Sequence, residues 1–177
     1  MTSGTNDSIF AKEILLKLKI MTTTNIIGID SAASEKVINS LSNLLANHQI
    51  YYTNLRGLHW DIKGDKFFEL HELYEEYYNS EAETIDAVAE RIAMLGGHPE
   101  NRFSEYIKNA DIKELSNVSD WEAGVKHVMD SMKVFLSKYR ELFALASKAN
   151  DSGTISLAGK RISEAEINLW KLTAYMG

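Results

Sequence analysis

The sequence predicts an all-α fold: four long helices in a bundle, with one long crossover between the second and third. Three observations carry this. Apolar residues recur at three- and four-residue spacing through most of the 177 positions. One proline and ten glycines leave few points at which a helix must stop. The breakers fall so that the connections are short, long and short.

The first helix is read from Ala33 to about Ile62, with Val37, Leu41, Leu44 or Leu45, His48, Tyr52, Leu55 and His59 on its inner face and Ser34 as its N-cap. Lys63-Gly64-Asp65 follows, Gly64 supplying a left-handed stop and Asp65 a cap for the next helix. The second helix runs from about Lys66 to Leu95. Gly96-Gly97 ends it and Pro99 prevents it from resuming. Ser119-Asp120-Trp121-Glu122 reads as a capping box opening the third helix, whose inner face is Val125, Val128, Met132, Phe135, Tyr139, Leu142 and Ala146. Asn150-Asp151-Ser152-Gly153 breaks it. The fourth helix presents Ala158, Ile162, Ala165, Leu169 and Thr173. Between Gly96 and Val118 the chain is too long to be a structureless loop, so a small helix is expected near Phe103–Ala110. Four helices with this one long crossover are the ferritin-like topology.

At this length the chain reads as one domain, residues 25–177, preceded by an extension, residues 1–24. Ser8–Ile20 has the pattern of a short amphipathic helix carrying Lys12, Lys17 and Lys19, and Met21 offers a second start. The 45% hydrophobic content suffices for a sizeable core. There is no cysteine, hence no disulfide and no thiolate metal site. The extension lacks the continuous apolar run and cleavage site of a secretory signal. No stretch is apolar enough to span a bilayer. These features suit a cytoplasmic protein, free or nucleoid-associated. The formal net charge of −6 disfavours nucleic acid as the main partner.

The chemistry lies in residues 59–90. His59, His71, Glu75, Asp86 and Glu90 are separated by 12, 4, 11 and 4 positions. Shifts of four keep side chains on one helix face, and eleven is close to three turns, so one stripe presents His71, Glu75, Asp86 and Glu90. Asp is a poor helix former, and Asp86 with Glu90 is a like-charge pair that costs stability unless a cation intervenes. Imidazole with carboxylate suits iron, zinc or manganese. Eleven residues rise roughly 16 Å, whereas a metal bond is about 2 Å long. The two pairs therefore serve separate sites, or a two-fold axis near Asn79–Ala82 brings one chain's pair against the other's. His59 and His71 flank the turn at similar distances, so antiparallel packing makes them neighbours. No histidine has glutamate three residues before it, so the Glu-x-x-His motif of a di-iron centre inside one bundle is absent. His48, His98 and His127 read as structural or solvated, and Glu69, Glu72, Glu76, Glu81 and Glu83 as a solvated face.

His59-Trp60, Phe67-Phe68-Glu69-Leu70-His71, Asp86 through Glu90-Arg91-Ile92, Leu95-Gly96-Gly97, Asn150 through Thr154 and Trp170 together resemble the Dps family, DNA-binding proteins from starved cells. The resemblance spans about Asn25 to Gly177. It implies a hollow dodecamer that oxidises Fe(II), preferably with hydrogen peroxide, and stores ferric mineral, with ferroxidase centres at two-fold interfaces. Asp86 and Glu90 of one chain would hold iron with the partner's His59. His71 and Glu75 would serve a weaker second iron, and Trp60 would stand beside the site to absorb stray oxidising equivalents. Asp151 would belong to an acidic three-fold pore. Two residues depart from the family pattern: Glu75 stands where it usually has Asp, and Ser156 where it often has an acid.

Two other classes compete with a ferroxidase and iron-storage shell. One is a nucleoid protein that mainly coats DNA, for which residues 1–20 are the candidate basic segment. The other is a metal-free helical interaction protein. DNA binding is expected to be weak or absent, because the charge of the body repels phosphate.

Overall fold

A computed structural model describes residues 27–177, which form five helices and no strand. The extension expected over residues 1–24, with its amphipathic helix, lies outside the described residues. The helices are α1 (Ser31–Asp61), α2 (Phe67–Met94), α3 (Phe103–Asn109), α4 (Trp121–Lys148) and α5 (Ser152–Met176). The four long helices and the crossover bearing α3 are the expected architecture. Among the described residues no helix is long and apolar enough to cross a membrane.

Local chemistry sets the ends, and the caps differ in detail from expectation. Asp30 caps α1, its carboxylate accepting from Ala33 N at 2.9 Å, so Ser34 lies inside the first turn rather than at the cap. Asp120 caps α4 through Ala123 N at 2.8 Å, one residue later than the Ser119 of the expected capping box. In both cases a carboxylate displaces a hydroxyl, and a carboxylate adds charge to the helix N-terminus. Asp65 does not cap α2. The N-cap is Lys66, and the N–H of Phe67 is met instead by the carbonyl of Gly64 at 3.2 Å. Gly64 takes the left-handed φ of 93° that the tight hairpin requires. Gly96, at φ 83°, ends α2. The chain then passes so close to α1 that a Cβ on Gly97 would meet Ile38 Cγ2 and Ile92 Cγ2 at 2.9 Å.

The predicted inner faces of α1 and α4 are core, with Val37, Leu41, Leu55, Val125, Val128 and Leu142 wholly buried, except that on α1 Tyr51 is buried and the expected Tyr52 only half-buried. On α5 the expected Ala158 is buried and Ile162 and Leu169 pack against the core, whereas the C-terminal end of the face departs from expectation. Thr154 and Leu172 are also buried, and Leu172, three residues after Leu169, takes the inward position in place of the exposed Thr173.

The crossover is fastened to α1 by asparagines. Asn47 Oδ1 accepts from the backbone N–H groups of Asp111 and Ile112, each at 2.9 Å. Asn54 accepts from Leu115 N at 2.9 Å and donates to the Lys113 carbonyl at 2.8 Å. Asn43 donates to the Asn109 carbonyl at 2.8 Å. Asparagine is a weak helix former, and here it supplies partners that an irregular segment cannot supply for itself.

Candidate metal-binding hairpin

The α1–α2 hairpin brings His59 and His71 face to face. Their ring centroids are 3.7 Å apart at an interplanar angle of 19°. His59 Nδ1 donates to the His71 carbonyl at 2.8 Å, and His71 Nδ1 donates to the His59 carbonyl at 2.9 Å. A carbonyl oxygen only accepts, so each Nδ1 carries a hydrogen. In the neutral ring that leaves Nε2 with its lone pair, and neither Nε2 has a hydrogen-bond partner among the described residues. A metal-ligating histidine is commonly held by such a bond from its other nitrogen. Phe67 stacks on the outer face of His71 at 4.9 Å, and Tyr78 meets His59 edge-on at 5.4 Å. The rings are fixed from several sides.

Glu75 lies one turn beyond His71 and is exposed. Tyr78 beside it has its phenol pKa raised, first by desolvation and then by the Glu75 charge and hydrogen bond. Asp86 and Glu90 are exposed on the same helix, and none of the three acids has an ion pair among the described residues. Arg91, next to Glu90, does not neutralise it, because its guanidinium is turned to Asp151. Helix α2 is unbroken from Phe67 to Met94, so the separation of roughly 16 Å between Glu75 and Asp86 stands. Accordingly, no group of three or more His, Asp or Glu side chains able to hold a metal is found among the described residues of a single chain. His59 and His71 are brought together, and Asp86 and Glu90 are not brought to them.

Asp151 is 1% exposed. It caps α5 by accepting from Thr154 N at 2.9 Å, accepts from Thr154 Oγ1 at 2.5 Å, and pairs with Arg91. Within the chain this carboxylate ties α5 to α2 and is turned away from solvent. Trp60 is 65% exposed beside His59, with the Arg56 guanidinium 4.8 Å from its ring.

Glu81 does not lie on a solvated face. It is buried in the bundle and hydrogen-bonded to His48 Nδ1, because its position on α2 falls on the inner stripe with Tyr74 and Val88. His48 is structural as read, but it belongs to a network that periodicity alone could not reveal: Nε2 lies 2.6 Å from the Tyr139 hydroxyl and the ring stacks on Phe135 at 4.2 Å. His127 is half-buried near Asn54 and Ser131, and desolvation lowers its pKa.

The fold and this hairpin define a ferritin-like four-helix bundle protein. A ferritin-like domain model matches residues 38–177. The DNA protection during starvation protein of Porphyromonas gingivalis is 43% identical over 148 residues, covering 84% of this chain and 93% of that protein. The crystal structure of the Dps protein from Vibrio cholerae O1, described as a member of a broad superfamily of ferritin-like diiron-carboxylate proteins, superposes with a TM-score of 0.85 at 40% identity, covering 88% of this chain and 98% of that one. A Dps protein from Bacillus brevis gives a TM-score of 0.81 at 26% identity, over 84% and 99% of the two chains. The chain belongs to the Dps family within the ferritin-like proteins.

Proposed function

We propose that this protein is a ferroxidase and iron store that protects the cell against oxidative stress. It takes up Fe(II), oxidises it, preferably with hydrogen peroxide, and keeps the ferric product inside a hollow homo-oligomer, a dodecamer. The observation that carries this is the locked pair His59 and His71, each with Nε2 unpartnered, on the same hairpin as two unneutralised acids that cannot reach them in one chain. A two-fold axis across the middle of α2 would complete the ligand set: Asp86 and Glu90 from one chain, His59, His71 and Glu75 from the next. Iron is the substrate of this site.

Carboxylates favour the ferric state and imidazole retains the ferrous ion, so the mixed set suits both ends of the oxidation. Two ferrous ions held together give one electron each to a single peroxide, which takes two protons and leaves as two waters. No one-electron reduction of peroxide, and hence no hydroxyl radical, is then required. Glu75, one methylene longer than the aspartate usual in the family, would hold the second iron more loosely. The test is stopped-flow oxidation of Fe(II) by peroxide and by dioxygen, followed by sizing of the particle and measurement of retained iron. Faster oxidation with peroxide in an iron-retaining assembly is expected. A particle that neither oxidises nor retains iron would overturn the reading.

A further inference from the structure

A cavity of about 230 Å³ lies within the bundle, walled by α1, α2, α4 and α5. It is distinct from the histidine hairpin. His48, Glu81 and Tyr139 lie in its wall, and Ser80 and Glu164, both retaining solvent exposure, also line it. His48, Glu81 and Tyr139 are respectively 3%, 8% and 2% exposed. Burying an imidazole, a carboxylate and a phenol together is costly, and apolar side chains of similar size would fill the space without that cost.

With a neutral His48 the hydrogen bonds run in one direction through the three side chains. The Glu81 carboxylate accepts from His48 Nδ1–H. Tyr139 has no partner but His48 among the described residues. With Nδ1–H given to Glu81, the neutral ring leaves Nε2 as an acceptor 2.6 Å from the Tyr139 hydroxyl, which donates to it. The phenol therefore points its proton at a base, and that base is backed by a carboxylate able to stabilise an imidazolium. The other buried tyrosines lack this. Among the described residues Tyr51 and Tyr74 hydroxyls have no partner, and Tyr106 donates to the Glu100 carbonyl, which is not a base.

We propose that Tyr139, His48 and Glu81 form a one-electron quenching centre, in which Tyr139 reduces oxidants of the hydroxyl-radical class, formed where ferrous iron meets peroxide, and becomes a neutral tyrosyl radical. The electron leaves the phenol and converts the hydroxyl radical to hydroxide. The phenol proton moves along its existing hydrogen bond to His48 Nε2, and the imidazolium so formed is paired with Glu81. Hydroxide takes that proton through the cavity and leaves as water, returning His48 to its neutral form. One O–H bond of Tyr139 has broken and one O–H bond of water has formed. Burial first, and the Glu81 charge second, raise the pKa of Tyr139, so the phenolate is disfavoured and the proton must travel with the electron.

The centre requires no iron at the hairpin, and a photochemical oxidant separates this proposal from the ferroxidase reading. Full-length protein is flash-oxidised with ruthenium tris(bipyridine) and persulfate, frozen, and observed by electron paramagnetic resonance. The native protein is expected to give a neutral tyrosyl signal that narrows on incorporation of β-deuterated tyrosine. Tyr139→Phe should lose it, and so should His48→Gln, which keeps the phenol but removes the base. Tyr51→Phe should retain it. A native-level signal in a folded Tyr139→Phe protein overturns the proposal. Should either variant fail to fold, the native radical itself decides: electron–nuclear double resonance with ¹⁵N-histidine must detect an imidazole hydrogen-bonded to the phenoxyl oxygen, and its absence is equally fatal.

Discussion

His59 and His71 each donate Nδ1–H to the other's backbone carbonyl, so the same two bonds that close the α1–α2 hairpin also orient both imidazoles. Fold and ligand geometry are thereby coupled at one place. Replacing His71 by alanine removes a stacked ring and leaves the His59 Nδ1–H to the backbone alone. The expected result is weakened iron binding together with a loss of stability of about 1–3 kcal/mol, measured by urea denaturation of the apo protein. Unchanged stability would show that the reciprocal bonds do not hold the hairpin.

Asp86 and Glu90 behave in the opposite way. They are exposed, one turn apart and without a counter-ion among the described residues, so they repel each other in the apo protein. Asp86→Asn with Glu90→Gln should raise apo stability by a few tenths of a kcal/mol, about 0.2–0.5. The same change should weaken Fe(II) binding by about 100-fold or more, since ligand loss exceeds the cost of losing a supporting hydrogen bond. Isothermal titration gives the second quantity, and native affinity in the double variant would remove these residues from the site. Glu75→Ala should change the number of irons bound more than the affinity of the first.

The contrast between these pairs explains what was legible in the sequence. Helix number, the long crossover and the His59–His71 neighbourhood follow from periodicity and from where Gly64 and Gly96 stand, because these are local signals. The burial of Glu81 is not legible for the same reason. On a helix, glutamate reads as solvated, and only its distant partner His48 on α1, itself bonded to Tyr139 on α4, makes its burial tolerable. Asn43, Asn47 and Asn54 were equally silent, although three weak helix formers spaced along one helix were a usable sign of polar contacts across its surface. The caps lie one to four residues from expectation because Ser34, Asp30, Ser119 and Asp120 all have capping side chains, and the choice between neighbours is tertiary.

Asn47 offers a direct measure of that missed ladder. Its carbonyl oxygen serves two backbone N–H groups of the crossover, at Asp111 and Ile112. Asn47→Ala leaves both without their partner at a site that is largely closed to water. A loss of roughly 2–4 kcal/mol is expected in chemical denaturation, well above the helix-propensity gain of alanine. A change below about 1 kcal/mol would mean that water replaces the side chain without penalty.

His127 sets an acid limit on the bundle. Desolvation lowers its folded-state pKa below the usual 6.5, with the nearby Asp130 charge acting in the opposite direction. The unfolded chain therefore binds a proton more readily than the folded one, and stability rises with pH through this window. The contribution is fully present above pH 6.5 and is lost as pH falls through that value towards the folded pKa. His127→Gln should flatten the pH dependence of the melting temperature just below pH 6.5. An unaltered slope would assign the acid sensitivity to other groups.

Each chain carries a net charge of −6, which repels phosphate, so binding to duplex DNA should be weak or absent at physiological salt and neutral pH. In the proposed dodecamer, twelve N-terminal segments bearing Lys12, Lys17 and Lys19 would together supply local attraction. Gel-shift titration across a salt series checks this. Tight binding abolished by deleting residues 1–20 would restore DNA coating as the main activity.

A site shared between chains makes a prediction that no single-chain site can imitate. One chain carries His59→Ala and another Glu90→Ala, and the two are refolded together. Alone, each variant has a defect in every site. In a two-fold dimer of unlike chains, one site collects both defects and the other receives an intact Glu90 from the first chain and an intact His59 from the second. Random pairing makes about half the dimers mixed, so roughly a quarter of all sites should be whole. Ferroxidase activity in the co-refolded particles should recover to about that fraction of the native rate, with mixing verified by mass spectrometry of the intact assembly. The expectation follows from the unbroken α2, along which Glu75 and Asp86 stand roughly 16 Å apart and cannot close on one metal. Verified mixing with no recovered activity would refute the shared site.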